Sequence, residues 1–296
     1  MWKEGRRPGS CIRGDERTFL LPLGYVDCSE HCHREVQVKP ITGREQQLLA
    51  FLSPRESVAA IVTELLSRCV GRVGEILDVD AELVRGLLPG DREFLLLRIY
   101  QTTFGDKLQV FLQCPDAECS EITEAPLNLN DITVEANPVE MRTFTMKVNE
   151  ARAERISFRL PTGADQEALA ATKELDEAEL SQRLLQLCIV DPSKSAEKLS
   201  QDVREGIEEQ MRTLGPGIEV ELEAVCPKCS KTFTSQLDVA LLVLNELRLS
   251  EAALEMDVHA LAFYYHWPES EIISLTPRRR ARYVELLGEE LERIAR

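Results

Sequence analysis

Two pairs of closely spaced cysteines, more than one hundred residues apart, restrict the possible folds of this 296-residue chain most strongly. Four residues separate Cys114 from Cys119, and two separate Cys226 from Cys229. Four thiolates at such spacings match a tetrahedral zinc site, and a site with four protein ligands has no open position for a substrate. We therefore predict a structural Zn²⁺ ion that joins two distant parts of the chain. The alternatives are a former site that no longer binds metal, and disulfide bonds.

Each cysteine pair is predicted at the tip of a strand–turn–strand unit. Apolar residues alternate with other residues on the approach to each pair, as they do along a half-buried strand. A turn at that point offers backbone N–H groups that stabilise the charge of a thiolate. The alternating residues are Leu108, Val110 and Leu112 before the first pair, and Val220, Leu222 and Ala224 before the second.

The chain also contains an internal repeat. Thr42-Gly43 and Gln46 recur 120 residues later as Thr162-Gly163 and Gln166. The strand before each cysteine pair recurs after 112 residues, and the second cysteine of each pair after 110. A shift that shrinks along the chain indicates a duplication whose first copy is longer in its loops. Such a duplication would bring the two cysteine pairs together across a pseudo-two-fold axis.

Helical segments follow the first strand of each copy. Apolar residues spaced by three or four predict a helix over 57–70, with a counterpart over 178–187. A later helix is predicted near 91–103 and again near 199–214, and a glycine follows each one. A hairpin around Asn137-Pro138, within 132–148, is predicted to join the copies. The predicted C-terminal helices span 241–249, 251–265, 268–274 and 277–296, with Thr276 as the N-cap of the last one.

The predicted fold class is therefore α+β, with two pseudo-repeats joined by the zinc-type site and followed by an all-helical C-terminal arm. Residues 1–17 are expected to form a flexible N-terminal extension. Residues 18–135 form the first repeat with its cysteine knuckle. Residues 136–240 contain the linking hairpin and the second repeat with its knuckle, and residues 241–296 form the arm.

The charge of the chain argues against two classes of partner. The 51 acidic residues exceed the 35 basic ones, which gives a formal net charge of −16. Nucleic acids and anionic membranes need clustered basic residues on the protein that binds them. No apolar run is long enough to span a bilayer, and no signal-peptide core follows the charged start. Nine cysteines, with two pairs at metal-ligand spacing, fit a reducing compartment, so we expect assembly in the cytoplasm.

The sequence predicts a protein that is not an enzyme. It contains no phosphate loop, no GxSxG, no HExxH and no dinucleotide fingerprint. Cys28-Ser-Glu-His31-Cys32-His33 has the composition of a second metal cluster, but it lies between two short predicted strands, where an exposed polar turn is the simpler interpretation. Cys11, Cys69 and Cys188 are interpreted as small apolar residues.

The arm carries the residues that we predict to contact a partner protein. Tyr264, His266 and Trp267 form an aromatic stretch at a helix end, and tyrosine and tryptophan are frequent in binding hot spots. Packing between two helices is the competing interpretation. Four arginines open the last helix, where the helix dipole disfavours positive charge. They indicate either docking against an acidic partner or a solvated basic face: Arg278, Arg279, Arg280 and Arg282.

Three segments resemble the T-even phage baseplate-hub and tail-assembly proteins and their counterparts in extracellular contractile injection systems. In Asp257–Tyr283 the likeness consists of a helix, an aromatic turn at Trp267, an acidic-Ile-x-x-Leu step and an arginine-rich final helix. The other two segments are Thr18–Glu45 and Asp91–Gly105, the second of which precedes a cysteine knuckle. Residues 1–17 and the cysteine-rich turn at 28–33 depart from the family pattern.

This resemblance implies a role rather than an activity, because family members are baseplate or assembly components with no catalytic residues. The protein is expected to help build the hub or baseplate that joins tube, sheath and spike. Its expected partners are other baseplate, tube, sheath or spike proteins of a phage or injection particle. The alternative is a zinc-ribbon adaptor in transcription or RNA handling. The acidic residues around the first cysteine pair argue against that alternative: Asp116, Glu118 and Glu121.

Overall fold

A computed structural model describes residues 17–52, 56–149, 154–172, 175–191 and 195–295 of the chain. Within these ranges the fold is α+β, as predicted. The predicted N-terminal extension lies outside the described residues except for Arg17, which is the first residue of strand β1 (Arg17–Val26).

The first sheet is antiparallel and has three strands in the order β1–β2–β3. Strands β2 (Cys32–Val38) and β3 (Val70–Val73) follow β1, and helix α4 (Pro89–Phe104) packs against β1. The Asp91 carboxylate, in the first turn of α4, accepts hydrogen bonds of 2.9 and 2.8 Å from the N–H groups of Leu23 and Gly24. A buried carboxylate therefore ties the N-terminal strand to the longest helix of this half.

Three further helices complete the first half: α1 (Gly43–Leu52), α2 (Val58–Cys69) and α3 (Ala81–Gly86). The predicted helix over 57–70 is confirmed as α2, and the Ser57 hydroxyl caps it by accepting a 3.2 Å hydrogen bond from the N–H of Ala60. The glycine predicted to end α4 is Gly105, whose φ of 103° is in the range that favours glycine.

Two similar hairpins carry the cysteine pairs at their tips, as predicted. The first consists of β4 (Lys107–Gln113) and β5 (Ile122–Asn128), and the second of β8 (Val220–Val225) and β9 (Thr232–Leu237). One face of β4 is buried, because its alternating apolar residues lie in the main core.

A second apolar core lies between the hairpins in sequence. Its elements are β6 (Phe144–Asn149), β7 (Glu154–Phe158), α5 (Gly163–Ala170), α6 (Glu177–Cys188), a 3-10 helix at Ala196–Lys198, and α7 (Gln201–Leu214). Phe158 of β7 is fully buried against Leu185 of α6 and Ile207 of α7. The predicted helices over 178–187 and 199–214 are confirmed as α6 and α7.

The hairpin predicted around Asn137-Pro138 is wrong. Strand β6 pairs with β7, and residues 132–143 form no regular strand. This segment lies beside β1 instead, because the N–H groups of Asn137 and Val139 donate to the carbonyls of Pro22 and Leu23, at 3.0 and 2.8 Å. The Asn137 side chain also donates to the carbonyls of Thr213 and Leu214, so isolated hydrogen bonds rather than a strand ladder hold this segment.

The C-terminal arm begins inside the main core. Helix α8 (Val239–Tyr265) is a single helix rather than the two predicted over 241–249 and 251–265, since no glycine or proline interrupts it. Its first turns bury Val243 and Leu247 in the main core. Helices α9 (Glu269–Ile272) and α10 (Pro277–Ile294) follow, and Thr276 is the N-cap of α10, as predicted.

Arg280 corrects one of the predicted partner contacts. Its side chain is only 1% exposed, whereas Arg278, Arg279 and Arg282 are exposed. It donates to the Gln46 side chain at 2.5 Å, to the Leu275 carbonyl at 2.9 Å and to Asp257 at 3.3 Å. Arg280 therefore joins α10 to α1 and α8 in the interior and is not available to a partner.

This position generates a stability test. Because Arg280→Ala leaves buried polar groups without their partner, we expect it to lower the free energy of unfolding by about 2 kcal/mol. Arg279→Ala, one residue away and exposed, should change it by less than about 0.5 kcal/mol. Urea denaturation followed by circular dichroism measures both. Equal effects of the two variants would contradict the interior role of Arg280.

Candidate metal centre

The two hairpin tips meet, and their four cysteine sulfurs form one cluster. The Sγ atoms of Cys114 and Cys229 lie 3.7 Å apart, those of Cys119 and Cys226 lie 3.6 Å apart, and all four lie within 4.8 Å of one another. Four sulfurs around a tetrahedral ion with bonds of about 2.3 Å lie about 3.8 Å apart. The four cysteines that the sequence singles out therefore come together at a spacing that can hold a metal ion.

The same distances exclude disulfide bonds in this arrangement. A disulfide needs two sulfurs about 2.05 Å apart. All four cysteines are free, and the contacts of 3.7 and 3.6 Å each join a cysteine of one hairpin to a cysteine of the other. The four sulfurs therefore form one site shared by the two hairpins rather than two disulfide bridges.

The backbone closes both tips in the same manner. The N–H of Cys114 donates to the Glu121 carbonyl at 2.8 Å, and the N–H of Cys226 donates to the Lys231 carbonyl at 3.0 Å. The residue after the second cysteine of each tip, Ser120 or Ser230, is left-handed, with φ of 46° or 59°. Matching turns thus hold the sulfurs of both tips.

Acidic residues at the first tip pair with lysines of the second. Glu121 lies 3.5 Å from Lys228, and Asp116 lies 3.6 Å from Lys231. These exposed pairs contribute more to the mutual orientation of the tips than to stability. They also explain two of the three acidic residues around the first cysteine pair, Asp116 and Glu121.

The pKa values of two thiols in the cluster, Cys226 and Cys114, are shifted in opposite directions. The N–H groups of Cys229 and Lys228 lower the pKa of Cys226 to about 7, against the effect of desolvation. At Cys114 the Asp116 N–H lowers the pKa, but desolvation and hydrogen bonds with the other sulfurs raise it to about 12. Full ionisation of the cluster therefore needs a cation, whose binding would release protons.

Residues 28–31 of the cysteine- and histidine-rich segment form an exposed turn between β1 and β2, the simpler of its two interpretations, whereas Cys32 and His33 begin β2 and His33 is buried. Asp27 organises the turn, because its Oδ1 accepts the N–H groups of Ser29 and His31 at 2.8 and 3.0 Å. Its Oδ2 lies 3.0 Å from His33 Nε2, and this hydrogen bond lowers the pKa of Asp27 to about 2. Among the described residues, only the hairpin cysteines form a group that can hold a metal.

The remaining cysteines match their interpretation as far as they are described. Cys69 and Cys188 are buried in apolar surroundings, and burial raises the pKa of Cys188 to about 12. Cys11 lies outside the described residues.

The aromatic residues of the arm divide into two groups. Trp267 stacks on Tyr265 with ring centroids 5.4 Å apart, and meets Tyr283 edge-on at 4.9 Å, so it packs between the ends of α8 and α10. Tyr264 is 47% exposed, and His266, which ends α8 with a φ of 56°, is exposed as well. Trp267 thus supports the junction from which Tyr264 and His266 face solvent.

Two exposed residues of α8 escaped the sequence analysis. Met256 is 69% exposed and Phe263 is 63% exposed, and the ring of His259 stacks on that of Phe263 at 6.2 Å. Exposed apolar clusters often mark interaction sites. Their positions could have been predicted from helical periodicity, because each lies two residues after a buried leucine, Leu254 or Leu261, and so on the opposite face of the helix.

Residues 24–151 match the family model described as T4 bacteriophage base plate protein. The match includes the first cysteine hairpin, covers less than half of the chain, and confirms over this part the resemblance found in the sequence. It indicates a structural role in a phage baseplate. No curated protein and no solved structure matches the chain significantly. In the described residues, no helix has both the length and the apolar character needed to cross a membrane.

The cluster makes a direct prediction about metal content. We expect one metal ion per chain in the wild-type protein, and none in the Cys226→Ser/Cys229→Ser variant, which should also unfold at a lower temperature. Cys28→Ser, at an exposed cysteine outside the cluster, is the matched control and should change neither property. Elemental mass spectrometry and thermal denaturation provide the readouts. A stable wild-type protein without metal, or metal retained by the double variant, would contradict the prediction.

Proposed function

We propose that the protein is a non-enzymatic component of the baseplate or hub of a contractile phage tail or injection system, and that it acts through contacts with other proteins of the particle. The family match over residues 24–151 carries this proposal. The cysteine cluster supports a role without catalysis, because four cysteine ligands leave a bound metal ion no open position for a substrate.

The proposed resident ion is Zn²⁺, held by Cys114, Cys119, Cys226 and Cys229. A tetrahedral set of four sulfur ligands is typical of structural zinc. The first two cysteines lie inside the family match and the other two outside it. A bound ion would therefore fix the matched segment to the second half and to the arm that follows it.

The proposal includes an internal duplication, with copies at 18–135 and 136–240. The starts of α1 and α5 support it, because each threonine N–H donates to an acid three residues on, Thr42 to Glu45 and Thr162 to Asp165, both at 2.8 Å. The two cysteine tips support it as well, through the left-handed serine that each contains.

The arm at 241–296 supplies the proposed partner surface. It combines exposed aromatic residues, Phe263 and Tyr264, with exposed arginines of α10. A partner with an apolar patch bordered by acidic residues fits this composition. Trp267 acts indirectly by holding the junction. The proposed contact residues are Phe263, Tyr264, His266, Arg278, Arg279 and Arg282.

Replacement of the exposed aromatics tests this surface. We expect Phe263→Ser/Tyr264→Ser to retain the fold and the metal content, because neither side chain belongs to a buried core, and to reduce the number of complete particles more than about tenfold. The matched control is Ile294→Ser at the far end of α10, where the side chain is 71% exposed. Co-expression with the other particle proteins, followed by electron microscopy, counts the particles. Normal counts with the double variant would refute the arm surface.

A protein inventory of purified particles separates two versions of this function. A component is retained in finished particles, whereas an assembly factor is absent from them. Retention of the purified protein on a nucleic-acid column at physiological salt would instead favour the zinc-ribbon adaptor and contradict the proposal.

A further inference from the structure

Two helices of this chain begin with Thr-Gly and dock by the same hydrogen bond. In α5, the N–H of Gly163 donates to the Leu87 carbonyl at 3.0 Å. In α1, the N–H of Gly43 donates to the Leu275 carbonyl at 3.3 Å. In both cases the start of a helix closes on the residues that lead into another helix.

Close approach explains the glycine at both positions. A Cβ on Gly163 would lie 2.3 Å from Nη1 of Arg92, and a Cβ on Gly43 would lie 2.9 Å from the Cα of Ile273. Neither distance is tolerated without a shift of the neighbour. The Thr-Gly sequence is thus the mark of a helix that docks in this way.

The two receiving sites share one spacing. In each site the acceptor leucine lies two residues before the first residue of a helix, which is Pro89 or Pro277. The fourth residue of that helix is an arginine. A fully buried apolar residue lies five residues before the first residue of the helix. We name them the N-terminal docking site (Val84, Leu87 and Arg92) and the C-terminal docking site (Ile272, Leu275 and Arg280).

Polar contacts complete the docking at the N-terminal site. Arg92 donates to the carbonyls of Val84 and Ala59 and to the Thr63 hydroxyl, at 2.8 to 3.0 Å. Glu167, five residues after the threonine of α5, accepts from Thr63 at 2.5 Å and from Arg85 at 2.9 Å. Glu167 therefore carries the charge opposite to that of Arg85 in the N-terminal docking site.

The same spacing occurs a third time, at the start of α7. Its first residue is Gln201, and the central docking site consists of Ala196, which is fully buried, Leu199 and Arg204. The Nε atoms of Arg204 and Arg92 are alike, since both are buried without a hydrogen-bond partner among the described residues. No backbone N–H in the described ranges donates to the Leu199 carbonyl, so no Thr-Gly helix of this part of the chain docks there.

A surface cavity of about 390 Å³ borders the 3-10 helix that contains Ala196. Gln182 of α6 and Glu197 of the 3-10 helix line it. In the N-terminal site the docked helix instead contacts Thr63 of α2 and Arg85 of α3. Arg85 and Glu197 each lie four residues before the first residue of the next helix. The cavity, which Arg183 also lines, therefore has an acidic residue, Glu197, at the position where the N-terminal site has the basic Arg85.

We propose that the central docking site binds the start of a helix from another protein, with the sequence Thr-Gly-x-Asp/Glu and a Lys or Arg five residues after the threonine. The acid would cap the helix as Glu45 and Asp165 do, and the basic residue would face Glu197. Both Thr-Gly helices of this chain are already docked internally, so the occupant is a different protein rather than a second copy. The inference rests on the proposed function, in which the partners are other particle proteins.

Labelled peptides test the site on the purified full-length chain. The first probe is the blocked peptide of residues 158–172 with Glu167→Lys, the second has the native Glu167, and the third adds Gly163→Leu to the first. We expect the lysine peptide to bind wild type about fivefold more tightly than the native peptide, and the leucine peptide not to bind. Fluorescence anisotropy measures all three.

A charge reversal in the protein provides the discriminating control. Glu197→Arg should invert the preference, so that the native peptide binds more tightly, whereas Glu209→Arg on the exposed side of α7 should leave it unchanged. No binding at about 1 mM peptide, a preference that Glu197→Arg does not alter, or binding of the leucine peptide would overturn the proposal. A dimer that Glu197→Arg dissociates would assign the surface to a second copy and overturn it as well. Because the assay uses no particle, its failure leaves the test of the arm surface intact.

Discussion

Contact between two hairpin tips, through four cysteine sulfurs, joins segments of the chain that are more than one hundred residues apart. The first hairpin continues from α4, and the second leads into α8, so this contact sets the position of the arm relative to the segment that matches the family model. In the chain-entropy model, a cross-link that closes a loop of this length lowers the entropy of the unfolded chain and stabilises the folded state by about 5 kcal/mol. Metal binding at the tips would stabilise the fold in the same way, in addition to the apolar core to which both hairpins contribute.

Docking of helix starts provides the second set of long-range connections. Helix α1 closes on the junction of α9 and α10, while α5 closes on that of α3 and α4. Each junction buries an arginine, Arg280 or Arg92, whose hydrogen bonds reach two or more other elements. Together the tips and the junctions tie both ends of the described chain to one body. A part that transmits force or orientation within a particle would need such rigidity.

The sequence predicted the features that depend on local patterns. The alternation that leads to Cys114 predicted its hairpin, the apolar spacing after Ser57 predicted α2, and Thr276 was recognised as an N-cap because that position depends only on neighbouring residues. The sequence did not predict features that depend on contacts between residues far apart in the chain. Arg280 is buried by α1, 234 residues away in sequence, and nothing near it signals this. The segment around Asn137 has the composition of strands, yet β1 offers it only two hydrogen bonds. The spacing between the leucine before each of α4, α7 and α10 and the arginine in the first turn of that helix was visible in the sequence, but only the docked helices of the structure show what it does.

X-ray absorption spectroscopy of the protein, purified without added metal, tests the shared cysteine site most directly. The account predicts zinc with four sulfur neighbours at about 2.3 Å and no nitrogen or oxygen in the first shell. Two sulfurs with two lighter ligands would mean that each tip binds metal separately, and would contradict the claim that one ion joins the two halves of the chain.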